Sequence, residues 1–202
     1  MTIDVPLGAV LTDPAEAIDE AARTIATTSG LTAITLRRVT SVSGLPPATV
    51  ASHEPSMNAL AARTFSDLAR AEIERIADSI EGAATPLDAL KTIVDSLLGP
   101  AHDLSKTIWA DAWSVSRHND FIAVAARESM QAWQELLVGV LLAGSEAGQF
   151  SVRRADLAAQ QFFALIDSTT AYALVGYLDS DARSLLVTRS LEVSLGLPEL
   201  TF

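Results

Sequence analysis

The sequence predicts an all-α protein of about nine helices. Hydrophobic residues make up 49% of the 202-residue chain and aromatic residues only 5%, so the core must consist mainly of aliphatic side chains. Apolar residues recur at intervals of three and four, and no long segment alternates apolar and polar residues at every second position. Breaks rich in glycine, proline, asparagine and aspartate separate these segments, and they indicate where helices begin and end.

The first three helices are predicted from their capping residues. Asp13 followed by proline is typical of a helix start, and Gly30 can end that helix in the left-handed conformation. Thr35 is predicted to cap a second helix over 36–42, which ends at Gly44. A proline pair then opens a very short third helix that runs to about Ser52, because proline is tolerated in a first turn.

The remaining helices form a larger body. Ser56 is predicted to cap a long helix over 57–80. The later helices are predicted over 86–98, 101–116, 121–146, 155–178 and 181–195. The short connections between them are typical of helical bundles.

The composition limits the chemistry that the chain can carry. It contains no cysteine, which excludes disulfides and thiolate metal sites. Its three histidines show no metal-ligand spacing, and we expect neither a metal nor a cofactor. Residues 1–11 lack the basic start of a signal peptide, and the longest apolar run, 136–143, is far shorter than the roughly 20 residues of a membrane span. These observations predict a cytoplasmic protein.

The net charge of −11 restricts any binding to nucleic acid. Residues 1–80 contain 10 acids and 6 bases, and residues 81–202 contain 15 acids and 8 bases, so neither part is basic. Contacts with phosphates supply much of the affinity of proteins for DNA. A DNA-binding surface in this chain must therefore be a local patch.

Two short helices joined by a turn at Gly44, directly after a longer helix, are typical of a DNA-binding helix-turn-helix. At this point the sequence resembles the TetR family of transcriptional regulators. The matching stretches are AIDEAA at 17–22, Gly30, TLRRV at 35–39, SGL at 43–45, the short helix 46–52, HEPS at 53–56 and Leu60. The resemblance spans roughly residues 13–68, a third of the chain.

The resemblance implies two domains and a function. Residues 1–54 would form a helix-turn-helix DNA-binding domain, which the helix 55–80 links to a ligand-binding and dimerisation domain over 55–202. The candidate DNA-binding residues are Thr35, Arg37, Arg38, Pro47, Ala48, Thr49, Ser52 and His53. Three positions depart from the family pattern: Ala51 and Glu54 replace aromatic residues, and Met57 replaces a phosphate-binding lysine. The arginine pair could also be an ordinary solvated face.

A second group of residues forms a candidate ligand site in the body. Trp109 and Trp113 lie four residues apart, hence on one helix face. Asp167 interrupts an apolar run, and it could pair with a cationic ligand group or an arginine, or face solvent. The candidate ligand-binding residues are His102, Trp109, Trp113, Met130, Trp133, Phe163, Asp167 and Tyr172. Two interpretations of the aromatic residues stay open: they are ordinary core, or they line an apolar pocket.

The resemblance also implies partners. The last two helices would form a four-helix bundle with those of a second copy, and the homodimer would read a palindromic operator in double-stranded DNA. The predicted function is a repressor that an unidentified small molecule releases from DNA. Two alternatives stay open. An enzyme is disfavoured because the sequence contains no catalytic motif, whereas the acidic charge and the three departures favour a TetR-like helical dimer that acts through protein partners.

Overall fold

The computed structural model describes residues 13–99 and 102–202. In this part of the chain it contains nine α-helices, one turn of 3₁₀ helix at Leu31–Ala33 and no strand. The helices are α1 (Pro14–Ser29), α2 (Leu36–Ser43), α3 (Pro47–His53), α4 (Met57–Glu81), α5 (Pro86–Leu98), α6 (Asp103–Val115), α7 (Asp120–Glu146), α8 (Ala155–Leu174) and α9 (Ser180–Leu195). The predicted all-α fold is confirmed.

The first three helices begin and end where the capping residues predict. Asp13 Oδ1 accepts the Ala15 N–H at 3.0 Å, and Thr35 Oγ1 accepts the Arg38 N–H at 3.4 Å. Gly44 ends α2 with a φ of 71°, a conformation that favours glycine. One apolar face of each helix packs into a common core, which contains Ile18, Ile25, Val39 and Val50.

Helix α4 joins this three-helix unit to the body. Ser56 caps it by accepting the Ala59 N–H at 3.2 Å. The helix contacts α1 at one end and packs along α5 and α7 in the body. A single buried cluster runs from α1 to α9 and includes Ile18, Phe65, Leu90, Leu137 and Leu191. The boundary between domains at residue 54 stays a prediction.

One predicted helix boundary differs from the structure, and another lies outside the described residues. The pattern predicts one helix over 155–178, but α8 ends at Leu174. Gly176 and Leu178 have φ angles of 67° and 61°, and the Tyr177 N–H donates to the Tyr172 carbonyl at 2.8 Å, so the chain turns there. The predicted start of the sixth helix at residue 101 lies outside the described residues.

Residues 13–99 and 102–202 show whether the described helices could cross a membrane or hold a metal ion. No helix in these ranges combines the length and the apolar character that crossing a membrane requires. The same ranges contain no group of three or more histidine, aspartate or glutamate side chains placed to hold a metal ion. The prediction that concerns residues 1–11 lies outside the described residues.

Candidate functional site

The helix-turn-helix presents a polar surface on α2 and α3, which we call the recognition surface (residues 35–53). Its candidate DNA-binding side chains are exposed apart from Arg38 and Thr49, which are half-buried. Thr35 caps α2, and the Ser52 hydroxyl and the His53 Nδ1–H both donate to the Thr49 carbonyl, at 2.8 and 2.9 Å. Ser52 and His53 are therefore exposed but are bonded to their own helix.

The local charge of the recognition surface is opposite to that of the whole chain. Between Thr35 and His53 the sequence contains two arginines and no carboxylate. The Arg37 side chain is exposed, and Arg38 Nη2 donates to Ser29 Oγ at 2.8 Å. A positive patch of this kind is what phosphate binding requires in an acidic protein.

Glu54, one of the departures from the family pattern, is bound within the three-helix unit. Its carboxylate accepts a hydrogen bond from Arg63 of α4, and Arg63 also donates to Asp19 of α1 at 2.7 Å. These two carboxylates raise the pKa of Arg63 above its usual range, although burial opposes them. Glu54 therefore fastens α3 to α4, and its negative charge is compensated next to the recognition surface.

A small cavity, of about 40 Å³, lies in the body among α5, α6, α7 and α8. Seven of the eight residues predicted to bind a ligand line it. These seven are His102, Trp109, Trp113, Met130, Trp133, Phe163 and Asp167. Apolar and aromatic side chains predominate in its lining, together with a few polar groups, as in small-molecule sites.

The aromatic residues of the cavity come in two pairs. The Trp109 and Trp113 rings of α6 have centroids 6.1 Å apart, and those of Trp133 and Phe163, from α7 and α8, are 5.8 Å apart. Trp109 is also fixed from behind by the edge of Phe65, at 5.0 Å. Such tilted arrangements hold the rings in place at the cavity.

Asp167 places a carboxyl group on the apolar cavity wall. Burial raises its pKa from the ordinary 3.8 to about 6, an effect that the charge of His102 partly opposes. Within the described residues no hydrogen bond or ion pair involves this carboxyl group. At neutral pH the group is therefore largely ionised but lacks a direct partner.

His102 is part of a buried polar contact between the cavity and α4. Its Nδ1–H donates to Glu72 Oε1 at 2.6 Å, and both side chains are at least nine-tenths buried. Among the described residues, the other carboxylate oxygen of Glu72 has no hydrogen-bond partner. The pair connects the wall of the cavity to the helix that carries the three-helix unit.

The sequence-based prediction missed several residues of the site. Leu97, Lys106, Gln134, Ile166 and Thr170 also line the cavity. Helical spacing could have identified Lys106, four residues after His102, and Thr170, three after Asp167. No local signal identifies Glu72, because its contact with position 102 depends on the tertiary fold.

Tyr172 is the one candidate ligand-binding residue that the structure does not bring to the cavity. It lies five positions after Asp167 on α8, and this spacing turns it away from the cavity face. Its ring packs against Tyr177 with centroids 5.1 Å apart. The ligand-binding and DNA-binding roles of the other candidate residues stay predictions.

A direct hydrogen bond ties the three-helix unit to α6. Asp111 Oδ2 accepts the N–H of Leu31 at 2.9 Å, directly after α1. Gly30 has a φ of 86°, and a Cβ at this position would collide with the Asp111 carboxylate. Asp111 lies between Trp109 and Trp113 in the sequence, so the helix that lines the cavity also holds the end of α1.

Sequence comparison identifies no matching protein family and no matching curated protein. Comparison with solved structures gives many matches. A protein of Saccharomonospora viridis, described as a transcriptional regulator and solved in complex with choline, matches with a TM-score of 0.77 at 20% identity, over 89% of this chain and 95% of that one. A TetR transcription regulator of Haloarcula marismortui gives 0.75 at 19% identity, over 91% and 98%. Reduced NemR of Escherichia coli gives 0.76 at 15% identity, over 93% and 100%.

These matches extend over nearly the whole length of each compared chain. The described helices therefore have the fold of TetR-family transcriptional regulators. The resemblance drawn from residues 13–68 holds for the body as well, where the sequence alone offered only a likeness in architecture.

Proposed function

We propose that this chain is a homodimeric, DNA-binding transcriptional repressor that a small molecule, bound in the cavity of the body, releases from its operator. The observation that carries the proposal is the combination of an exposed, locally positive recognition surface with an aromatic-lined cavity in one TetR-type fold. The regulator of S. viridis holds choline. This complex supports the idea that a protein of this fold can hold a small organic molecule.

The recognition surface supports DNA binding by its charge and its side-chain sizes. Helix α3 presents the short side chains of Pro47, Ala48 and Thr49, which allow close approach to base edges in the major groove. Arg37 and Arg38 lie on the preceding helix, where they could contact phosphates and fix the register. Because Arg63 compensates Glu54, this departure opposes DNA binding less than the sequence alone suggests.

An apolar surface supports the dimer. Among the described residues, many exposed large apolar side chains lie on α8, on α9 and between them. They are Leu157, Leu174, Val175, Tyr177, Leu178, Leu185, Leu186 and Val193. Leu178, Leu185, Leu186 and Val193 line one open groove, and exposed apolar patches often mark interfaces. A twofold contact through α8 and α9 would place two recognition surfaces about one DNA turn apart.

Two contacts offer a route from the cavity to the recognition surface. Asp111 of α6 holds the N–H of Leu31, and His102 at the start of α6 holds Glu72 of α4. A ligand that shifts α6 would change both contacts. The change in the free energy of DNA binding could not exceed the difference between the ligand's binding free energies for the two positions of α6.

Selection from a random pool of double-stranded DNA tests the proposal. We expect the purified protein to enrich a palindromic sequence with half-sites about one helical turn apart, and to retard it in a gel more weakly at high salt. A stable dimer that enriches no sequence would contradict the proposal and favour action through protein partners.

A charge placed in the apolar surface tests the dimer. Val193 is 73% exposed on α9, so Val193→Arg should not disturb the monomer's core. We expect this variant to sediment as a monomer and to lose DNA binding. The Ser114→Arg variant places the same charge at an exposed position of α6 and should remain dimeric. If Val193→Arg also remains dimeric, the contact through α8 and α9 is wrong.

A further inference from the structure

We propose that the cavity binds an organic cation with a quaternary ammonium group, which the aromatic rings surround and the Asp167 carboxylate faces. This inference deepens the proposed function, on which it rests, by naming the chemical class of the ligand. It follows from what the cavity wall offers and from what it lacks.

The aromatic rings supply the first part of the argument. Trp109, Trp113, Trp133 and Phe163 line one cavity, and they come from three different helices. The face of an aromatic ring carries negative electrostatic potential, so it attracts a cation, and tryptophan does so most strongly. Three of the four rings are tryptophan, and these are all the tryptophans of the chain. This wall suits a cation better than an anion.

The Asp167 carboxylate supplies the second part. It lies one helical turn after Phe163 on α8, which places it beside the aromatic rings. It is the carboxylate that lines the cavity, and among the described residues no hydrogen bond or ion pair holds it, although the charge of His102 acts on it. A half-buried carboxylate without a hydrogen-bonded partner loses part of its hydration, and a cationic ligand would supply a countercharge.

The other charged and titratable groups around the cavity are already engaged. The His102 Nδ1–H donates to Glu72, which leaves only the second oxygen of that carboxylate without a hydrogen-bond partner among the described residues. Lys106 lines the cavity and already has a contact of its own. Asp167 is thus the charged group of the wall that a ligand is best placed to compensate.

The scarcity of hydrogen-bond acceptors distinguishes between classes of cation. A primary ammonium group has three N–H donors that require acceptors. Apart from the Asp167 carboxylate, the acceptors among the side chains of Gln134 and Thr170 are one amide oxygen and one hydroxyl oxygen, and the Thr170 hydroxyl proton is donated to the Ile166 carbonyl at 3.0 Å. A quaternary ammonium group has no N–H donor, so it loses nothing in such a wall.

Calorimetry with three meta-substituted phenols tests the proposal on the full chain without DNA. The probes are 3-hydroxyphenyltrimethylammonium, its neutral carbon isostere 3-tert-butylphenol and the anion 3-hydroxybenzoate. We expect the cation to bind at least tenfold more tightly than the neutral isostere, and the anion not to bind. Equal or tighter binding of the neutral compound or of the anion overturns the proposal, and so does the absence of cation binding at millimolar concentration.

Two variants locate the charge. Asp167→Asn should weaken binding of the cation at least tenfold and leave that of 3-tert-butylphenol within twofold, whereas Asp156→Asn, an exposed position of the same helix, should change neither. Trp113→Leu should weaken cation binding more than neutral binding. Thermal melting checks that each variant is folded. A cation affinity that is unchanged in Asp167→Asn contradicts the assignment.

The outcome for the ligand is separate from that for the proposed function. Failure of the cation to bind, together with enrichment of a palindrome in the DNA selection, would leave the regulator proposal standing and reject the ligand class. Cation binding without DNA binding would support the ligand class and reject the regulator proposal.

Discussion

The recognition surface and the cavity are two candidate sites that use charged side chains in different ways. On the recognition surface Arg37 is exposed and Arg38 is half-buried, with no carboxylate between residues 35 and 53. In the cavity the charged groups are buried or half-buried, and one of them, His102, is bonded to Glu72 at 2.6 Å. Exposed charges attract a charged partner over a distance that becomes shorter as the salt concentration rises. Buried charges act on groups in direct contact, and they affect the stability of the fold.

This difference explains how an acidic protein can be a candidate for DNA binding. The charge of −11 belongs to the whole chain, but affinity for phosphates depends on the few side chains that reach them. Glu54, next to the recognition surface, is bonded to Arg63. The two sites should therefore respond to different variables: the first to salt concentration, the second to pH and to the loss of single partners.

The largest expected effect concerns the arginines of the recognition surface. In the double variant Arg37→Ala/Arg38→Ala, DNA affinity should fall on the order of 100-fold at low salt, because two phosphate contacts are lost. The slope of log affinity against log salt concentration should decrease by about two. Fluorescence anisotropy with the selected DNA measures both quantities.

The matched control removes the same charge elsewhere. Arg117 and Arg127 are exposed and lie outside the helix-turn-helix. Their double replacement by alanine should leave the salt slope unchanged. If both double variants behave alike, the arginines act through net charge only, and the contrast between a local patch and the whole chain fails.

The second largest effect concerns the buried pair of the cavity wall. Glu72→Ala removes the acceptor of the His102 Nδ1–H, a hydrogen bond of 2.6 Å between buried groups. We expect the free energy of unfolding to fall by about 2 kcal/mol. Glu74→Ala, an exposed position of the same helix, should change it by less than about 0.5 kcal/mol. Urea denaturation measures both, and similar values for the two variants would show that the pair is not structural.

The third expected effect links the two sites. Asp111→Ala removes the acceptor of the Leu31 N–H between α6 and the end of α1. We expect the ratio of DNA affinities without and with saturating 3-hydroxyphenyltrimethylammonium to fall by about tenfold, a typical size for allosteric coupling. Ser114→Ala, at an exposed position of the same helix, is the control. An unchanged ratio in Asp111→Ala would exclude this contact as a route.

The sequence predicted local features of both sites better than their tertiary contacts. The caps Thr35 and Ser56 were predicted because a capping side chain bonds a backbone N–H only three residues away. Seven cavity residues were predicted because helical spacing places them on shared faces. The spacing also included Tyr172, since a run of aromatic residues does not show which face of α8 each one occupies.

The tertiary contacts could not be predicted in the same way. The bonds from Arg63 to Glu54 and Asp19 join three helices, and the contact between His102 and Glu72 spans 30 positions. The sequence alone presents Glu54 as a departure that disfavours DNA binding. It does not identify the partner of Glu54, because Arg63 is nine residues away on another helix. The early end of α8 was missed because Gly176 lies in an otherwise helical pattern.

The smallest expected effect is a dependence of stability on pH that comes from Asp167. Burial raises the pKa of this carboxyl group from 3.8 to about 6. Between these two values the folded protein binds more protons than the unfolded chain, so the contribution of Asp167 to stability decreases as the pH rises through this window. An asparagine side chain in its place has no charge to desolvate.

The Asp167→Asn variant should therefore be more stable than the wild type by about 1 kcal/mol at pH 7.5, after allowance for partial exposure, with no difference near pH 3.5. Urea denaturation at several pH values measures the difference, and a variant that is less stable at pH 7.5 would indicate that the carboxylate already has a partner. Replacement of Arg37 and Arg38 should leave the dependence of stability on pH unchanged. This difference between the two sites can therefore be measured.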